Sequence, residues 1–140
     1  MEIKIATVDE AADLFELNTL FGNTTTLELI SKSLADNDGE IACIAYVDGI
    51  AAGFCTGFLN KSMCHSESRA YIEGLYVREE CRGKGIGRAL MLFLLKAFAD
   101  RGIRHFHTDT YLNNAEAIAL CESVGFVHDG AVLLEKSITQ

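Results

Sequence analysis

Residues 71–88 constrain the fold more than any other stretch, because they join a strand-like run to a glycine-rich turn that opens a long apolar helix. The turn sets three glycines at alternate positions among cationic side chains, and it reads Arg82, Gly83, Lys84, Gly85, Ile86, Gly87 and Arg88. Glycine has no Cβ, so several backbone N–H groups can approach one phosphate, and the helix adds the positive end of its dipole. The stretch therefore predicts an anion-binding turn, suited to a pyrophosphate.

The order of the predicted elements indicates a mixed α/β fold in a single domain, residues 1–140. The 140 residues, 49% of them hydrophobic, suit one core and are too apolar for a disordered chain. A strand at 70–77, a helix at 85–101 and a strand at 104–111 form one β-α-β unit, so these two strands should be parallel. The remaining strands should be mostly antiparallel, and they are predicted at 3–5, 40–47, 50–59, 126–128 and 131–138.

Capping and turn residues set the remaining boundaries. Asp9 should cap a helix that ends near Phe21, and Thr24–Thr26 should cap a second helix that stops at 36–39. Asn113 or Asn114 should cap a last helix that Gly125 ends. The pair Asp48-Gly49 lies between two apolar runs, which is a strong signal for a hairpin.

The charge distribution separates the chain into an acidic half and a basic middle. The net charge of −8 disfavours a nucleic-acid partner. Residues 1–68 contain only three cationic side chains, Lys4, Lys32 and Lys61, whereas arginine and lysine cluster around the glycine turn. This pattern indicates a cationic substrate that meets an anionic cofactor, although an acidic surface also serves ordinary solubility.

Cysteine usage and the N-terminus place the protein in a reducing compartment. The five cysteines are odd in number and lack Cys-x-x-Cys spacing, which predicts reduced thiols rather than a disulfide framework or a zinc site. The first seven residues lack the basic start and apolar centre of a secretion signal, and no apolar run is long enough to span a bilayer. We therefore expect a cytoplasmic protein that does not bind a membrane.

The glycine turn differs from the common nucleotide-binding loops. It lacks the spacing and the Ser or Thr of a Walker A loop, and its glycines do not fit Gly-x-Gly-x-x-Gly. It does fit Arg-x-x-Gly-x-Gly, starting at Arg82 between the strand end Leu75-Tyr76-Val77 and an apolar helix. Residues 114–126 then read Asn-x-x-Ala-Ile-x-Leu-x-x-x-x-Gly-Phe.

Together these features resemble the GNAT family, the acetyl-CoA-dependent N-acetyltransferases. The resemblance covers residues 40–138 and implies a mixed, mostly antiparallel sheet flanked by helices, with strands 70–77 and 104–111 splaying to hold the cofactor. Within the family, Ile72-Glu73-Gly74-Leu75-Tyr76-Val77, Thr108-Asp109-Thr110 and Gly125-Phe126 are similar to the aminoglycoside 6′-N-acetyltransferase branch. Membership also implies a homodimer.

The resemblance assigns the cofactor contacts. The backbone N–H groups from Arg82 to Gly87 would hold the pyrophosphate of acetyl-CoA, with charge from Arg82 and Lys84. The pantetheine arm would pair with the strand edge at 75–77 like an additional strand. The expected cofactor-binding residues are Leu75, Tyr76, Val77, Arg82, Gly83, Lys84, Gly85, Ile86, Gly87, Arg88 and Asn114, and no metal is expected.

Two carboxylates are candidates for the base that deprotonates the substrate ammonium. Strand alternation places Glu73 with Tyr71, Leu75 and Val77, an apolar face on which the loss of hydration would favour proton uptake. A second acid, Asp109, ends the strand after the cofactor helix, and the resemblance makes it a ligand for the substrate amine or an alternative base. A strand amide near Leu75 or Tyr76 would stabilise the oxyanion.

The group that protonates the departing thiolate is less obvious. Many family members have a tyrosine at the position of Cys121, where a cysteine on the apolar face of a helix is more often a packing residue. Tyr76 or Tyr111 could replace it, or the thiolate could leave unaided. His105 and His107 share one strand face, but without a third ligand they do not predict a metal site.

The sequence therefore predicts an N-acetyltransferase that moves the acetyl group of acetyl-CoA to a primary amine by direct attack in a ternary complex. A cationic small molecule is the expected acceptor, with aminoglycosides favoured over a polyamine, a metabolite amine or a protein amine. Residues 20–40 and the loop 60–69 should shape the acceptor pocket. A non-catalytic acyl-CoA sensor, which would keep the turn but lack a working base, is the alternative from another class.

Overall fold

A five-stranded sheet with the strand order β1-β2-β3-β4-β5 forms the centre of the protein, in a computed structural model that describes residues 1–139. Strands β1 to β4 are antiparallel to their neighbours, whereas β4 and β5 are parallel. This confirms the predicted mixed, mostly antiparallel sheet. The strands are β1 (Glu2–Ile5), β2 (Glu40–Val47), β3 (Ile50–Asn60), β4 (Arg69–Val77) and β5 (His105–Thr108).

Four α-helices within residues 1–139 cover both faces of the sheet, and none of them is long and apolar enough to cross a bilayer. On one face, α3 presents the fully buried side chains of Leu90, Leu94 and Phe98. On the other face, α1 buries Leu14 and Leu17 against the sheet. The helices are α1 (Ala11–Phe21), α2 (Leu27–Asp36), α3 (Ile86–Ala99) and α4 (Ala115–Ser123).

Strand alternation divides the apolar side chains of the central strands between two clusters. In β2, Ile41 and Cys43 point toward α3, whereas Ala42 and Ile44 point toward α1. Because both faces of the central strands are covered, β2 reads as an almost continuous apolar run. All five cysteines are free thiols.

The helix starts agree only in part with the sequence prediction. The Thr26 hydroxyl accepts a hydrogen bond from the Leu29 N–H at 3.1 Å and so caps α2, as predicted. The prediction that Asp9 caps α1 is wrong. Thr7 caps a 3-10 turn over Val8–Glu10, and α1 begins after this turn at Ala11.

The C-terminal part of the chain also departs from the prediction. β5 ends at Thr108 rather than at residue 111, and residues 126–139 form no strand. The apolar side chains of this segment stay exposed, with Val132, Leu134 and Ile138 at 78%, 87% and 86%. A strand requires a hydrogen-bonding neighbour as well as a suitable sequence, and the segment does not pair with the outer edge of β5.

A buried carboxylate joins β1 to the turn before α1. Glu10 Oε2 accepts hydrogen bonds from the Thr7 N–H at 2.7 Å and the Thr7 hydroxyl at 3.0 Å, and Oε1 lies 2.7 Å from Lys4 Nζ. Burial by itself raises the pKa of Glu10, but the hydrogen bonds from Lys4 and Thr7 outweigh it. The pKa therefore lies below the usual 4.5.

We expect Glu10→Gln to lower the free energy of unfolding at pH 7 by about 1–3 kcal/mol, because these donors lose a charged acceptor. Because the pKa of Glu10 is lower in the folded state than the usual 4.5, the stability that its carboxylate contributes is complete above pH 4.5. This stability is lost as the pH falls through the folded-state pKa. Urea unfolding of both proteins at neutral and at acidic pH tests this. A stability difference that did not shrink in acid would contradict it.

Candidate active site

The two parallel strands separate in the middle of the sheet. β4 and β5 pair only from Arg69–Ile72 with His105–Thr108, and Ile72 and Thr108 are the last pair. The Thr108 hydroxyl donates a hydrogen bond to the Ile72 carbonyl at 2.9 Å, which closes the paired region. β5 then ends, whereas β4 continues to Val77. Residues 73–77 therefore have a free edge beside a gap, which confirms the predicted splaying.

A β-bulge in β4 lies directly after the last pair. Thr56 of β3 pairs with Gly74, but the next β3 residue, Gly57, pairs with Ile72, so Glu73 is the extra residue. The bulge reverses the expected alternation. Leu75 and Val77 pack in the α3 cluster, whereas Glu73 lines a cleft on the α1 and α2 side.

The sequence prediction for the surroundings of Glu73 is therefore wrong in two respects. Glu73 does not share a face with Leu75 and Val77, because the bulge shifts it to the opposite one. It is also exposed rather than held on an apolar surface. What the structure gives Glu73 is a place in the cleft on the α1 and α2 side.

The free edge of β4 presents a specific set of backbone groups to the gap. The Tyr76 carbonyl points toward β3, since a Cβ added at Gly53 would lie 2.5 Å from this oxygen. Adjacent residues of a strand direct their N–H and C=O groups to opposite edges, so those of Leu75 and Val77 face the gap. The Val77 carbonyl already accepts a hydrogen bond from Arg82 Nε at 2.9 Å. Leu75 is thus the residue with both backbone groups available.

The glycine turn presents free amides beside this gap. Gly83 and Gly85 have φ values of 79° and 81°, which L-residues with a side chain rarely adopt, and a Cβ at either would meet nothing within 4 Å. Gly85 is the N-cap of α3, and no side chain caps this end of the helix. The backbone N–H groups of residues 83–88 donate no hydrogen bond within residues 1–139. Amides without a partner at a helix N-terminus fit a pyrophosphate.

The third glycine of the turn has a packing role. A Cβ at Gly87 would lie 3.1 Å from Leu120 Cδ1 and 3.7 Å from Val77 Cγ2. The missing side chain therefore allows α3 to approach both α4 and β4. Close packing at this point brings the amide end of α3 next to the free edge of β4.

Three cations surround the turn. The Arg82 guanidinium lies 5.6 Å from the centre of the Tyr76 ring, and its Nε is held by Val77, so it stands between the strand and the turn. Lys84 and Arg88 are exposed on the turn and on the first turn of α3. This charge supports anion binding at the same place.

A cleft of about 460 Å³ opens on the other side of the bulge, between α1, α2 and the sheet. It contains two carboxylates, Glu73 and Glu40, and the Ser33 hydroxyl of α2 donates a hydrogen bond to Glu40. Residues 20–40 contribute to it as predicted, but the loop 60–69 does not line it. Sequence reasoning missed Glu40, Asn18 and Thr56. The cleft is lined by Leu14, Asn18, Phe21, Asn23, Thr24, Thr25, Leu29, Ile30, Ser33, Leu34, Glu40, Ala42, Phe54, Thr56, Glu73 and Gly74.

The other predicted acid lies near the gap but outside the cleft. Asp109 directly follows Thr108, just as Glu73 follows Ile72, so the two acids are the first residues beyond the last pair. Asp109 is exposed and does not line the cleft. Asn114 caps α4, since its Oδ1 accepts a hydrogen bond from the Ala117 N–H at 3.1 Å.

The three candidate proton donors differ in their surroundings. Tyr76 packs on the α1 side, 5.2 Å between ring centres from Phe21, which itself lines the cleft. Cys121 packs in the α3 cluster on the opposite face, where burial raises the pKa of its thiol. Tyr111 is 82% exposed.

The two histidines of β5 lie side by side without forming a metal site. The ring centres of His105 and His107 are 4.7 Å apart, as their spacing on one strand face predicts. No cluster of three or more His, Cys, Asp or Glu side chains with metal-binding geometry is found in residues 1–139.

Comparison with known proteins agrees with this geometry. Residues 9–126 match the acetyltransferase (GNAT) family. An aminoglycoside N(6′)-acetyltransferase type 1 of Stenotrophomonas maltophilia is 30% identical over 103 residues, which cover 71% of this chain and 67% of that protein.

Solved structures share the fold over nearly the whole chain. An aminoglycoside acetyltransferase from an uncultured soil metagenomic sample, in complex with sisomicin, has a TM-score of 0.86 at 15% identity, covering 99% of this chain and 96% of that one. The aminoglycoside N-acetyltransferase AAC(6′)-Iy in complex with CoA has a TM-score of 0.82 at 20% identity, covering 99% and 100%.

The mixed sheet flanked by helices is the fold of these acetyltransferases. This chain belongs to the GNAT family of acetyltransferases, whose acetyl donor is acetyl-CoA. It is thus an acetyl-transferring enzyme.

Proposed function

We propose that this enzyme transfers the acetyl group of acetyl-CoA to a primary amine of a cationic small molecule, and that aminoglycosides are its acceptor class. One observation carries the proposal: the gap between β4 and β5 lies between the free amides of α3 and a cleft whose charged lining residues are two carboxylates. An acidic cleft attracts a cationic amine, and the amides attract the anionic donor. The aminoglycoside class is supported by the name and the 30% identity of the relative.

The donor would lie along the gap. The amides of residues 83–88 would hold its pyrophosphate, with Arg82, Lys84 and Arg88 contributing positive charge. The free edge at 75–77 would pair with the pantetheine arm, and Asn114 at the start of α4 would contact it from the other side. When bound, acetyl-CoA supplies a thioester carbonyl that is open to attack by an amine.

Glu73 is the proposed base. It lies at the bulge where the cleft meets the gap, so it can accept the ammonium proton directly or through one water. The Leu75 N–H, which faces the gap one residue after Gly74, would donate to the carbonyl oxygen as negative charge develops there. Because amine and thioester would meet at one point, direct attack suffices and no acyl-cysteine is required.

Tyr76 is the proposed donor to the departing thiolate. Its ring is near both Phe21 of the cleft and Arg82 of the turn, and these two residues belong to the acceptor and donor sides of the proposed site. Cys121 packs on the opposite face of the sheet, and we assign it to packing. Asp109, outside the cleft, is a ligand for the amine of a larger acceptor.

We expect Glu73→Gln to lower kcat by about 10²- to 10⁴-fold, since the amide cannot take the proton. The affinity for CoA should not change, because the proposed pyrophosphate contacts are in the turn after the end of β4, whereas Glu73 lies at the bulge within the strand. Release of the CoA thiol with an aminoglycoside acceptor measures the first effect, and titration calorimetry the second. Asp109→Asn is the matched control and should reduce kcat less. A larger loss in Asp109→Asn would assign the base to Asp109 instead.

We expect Gly85→Ala to weaken CoA binding by at least about tenfold, because the left-handed conformation costs about 1–2 kcal/mol with a side chain and the amides would turn away. Gly102→Ala is a matched control, since Gly102 has a similar φ of 90° at the other end of α3 with open space around it. Calorimetry with CoA should show an effect only at Gly85. Equal affinities in the two variants would argue against the turn as the phosphate site.

We also propose that the enzyme is a homodimer joined through its C-terminal segment. The outer edge of β5 is open, and residues 126–139 leave five large apolar side chains exposed, namely Val127, Val132, Leu133, Leu134 and Ile138. The body of the same chain does not cover them, whereas a second copy offers both an open edge and an identical segment. Two reciprocal pairings would form a closed, symmetric assembly.

The double substitution Val132→Lys with Leu134→Lys should produce a monomer, because it places two charges in the proposed contact. Met63→Lys, at a fully exposed apolar residue outside the segment, should leave the dimer intact. Light scattering on the eluting protein gives the mass of each. A monomeric wild type, or a dimer that survives the double substitution, would overturn this assignment.

A further inference from the structure

A row of side chains continues the floor of the acceptor cleft across the sheet. Strand register places Glu40 opposite Phe58, Phe58 opposite Tyr71, and Tyr71 opposite His107. Residues that are register partners point to the same face. The neighbours of Tyr71, Ala70 and Ile72, pack in the α3 cluster, so the row lies on the face of the cleft.

The middle of the row is an aromatic surface. The rings of Phe58 and Tyr71 stack with 5.4 Å between their centres and 25° between their planes. Phe58 remains 36% exposed, so the helices do not cover this pair. Thr56, two residues before Phe58 and therefore on the same face, lines the cleft. The aromatic surface is thus continuous with the cleft floor.

A carboxylate stands where the cleft meets this surface. Glu40 is half-buried and lines the cleft, and the Ser33 hydroxyl of α2 donates a hydrogen bond to its Oε1. None of the three ion pairs within residues 1–139 involves Glu40. An oriented carboxylate without a cation, next to aromatic faces, is a combination that binds ammonium groups.

The distance between Glu40 and Glu73 follows from the register. Ala42 pairs with Thr56 and Thr56 with Gly74, so β2 and β4 are two strand spacings apart, about 9–10 Å. Glu40 precedes Ala42 by two residues and Glu73 precedes Gly74 by one, on strands that run in the same direction. The backbones of the two acids are thus separated by roughly 10 Å.

We infer that Glu40, Phe58 and Tyr71 form a second ammonium subsite, which selects acceptors with at least two amino groups over monoamines. The inference rests on the proposed function. Glu73 takes the amine that reacts, and Glu40, whose backbone lies roughly 10 Å from that of Glu73, holds a second amine against the aromatic pair. The subsite fixes the orientation of the acceptor and does not take part in proton transfer.

The test compares two acceptors, neamine with several amino groups and 6-amino-6-deoxyglucose with one. We expect Glu40→Gln to raise the KM for neamine about tenfold, the loss of roughly one charge-assisted hydrogen bond, with little change in kcat. The KM for 6-amino-6-deoxyglucose should rise much less, because this acceptor has no second amino group for Glu40 to hold. Glu28→Gln is the matched control, because Glu28 is an exposed acid of α2 outside the cleft, and it should change neither acceptor.

A second variant and a binding measurement separate the possible failures. Phe58→Leu keeps the Glu40 carboxylate but removes the ring that stacks on Tyr71. It should raise the KM for neamine by a smaller factor than Glu40→Gln does. Calorimetry of neamine with the wild type and Glu40→Gln reports on the subsite without turnover. If binding weakens but neither acceptor is acetylated, the proposed function fails and the subsite stands. If Glu40→Gln binds neamine as the wild type does, or affects both acceptors equally, the subsite is overturned.

Discussion

The separation of β4 from β5 after Ile72 and Thr108 is the constraint on which the rest of the site depends. While the strands are paired, each satisfies the backbone groups of the other, and no ligand can enter between them. Once they part, the edge of β4 needs a new partner. An extended arm that offers amide groups meets that requirement, as in strand addition to an open sheet edge.

The bulge at Glu73 explains why one strand serves two ligands. Before it, β4 is an ordinary member of the sheet, and after it the side chains of Leu75 and Val77 support α3 while their backbone faces the gap. The extra residue points to the other face, into the cleft. A donor along the edge of β4 and an acceptor on its cleft face would therefore approach each other at the bulge.

The parts of the fold that the sequence predicted correctly are those determined by local chemistry. The turn at 82–88, the helix behind it and the Asn114 cap follow from glycine, apolar spacing and a capping side chain within a few residues. The parallel pair followed from the β-α-β order, because a crossover helix returns the chain to the end of the sheet at which the first strand began. Each depends on contacts that the sequence pattern contains.

The errors concern pairing between distant parts of the chain. The face of Glu73 depends on how Thr56 and Gly57 pair with β4, and simple alternation along the strand cannot reveal a bulge. The segments at 126–128 and 131–138 have the composition of strands but lack a neighbour in this chain. The sequence predicts Glu40 only as the first residue of a strand, and its hydrogen bond with Ser33 joins it to a different element.

One of the twelve glycines has a consequence for how this chain can evolve. At Gly53 a single added carbon would press on a main-chain oxygen of the adjacent strand, which no change of rotamer can relieve. Insertions and exchanges at the rim of the cleft would alter which amine fits the proposed acceptor site. Gly53 tolerates no side chain, so variants of the enzyme must keep glycine at this position between β3 and β4.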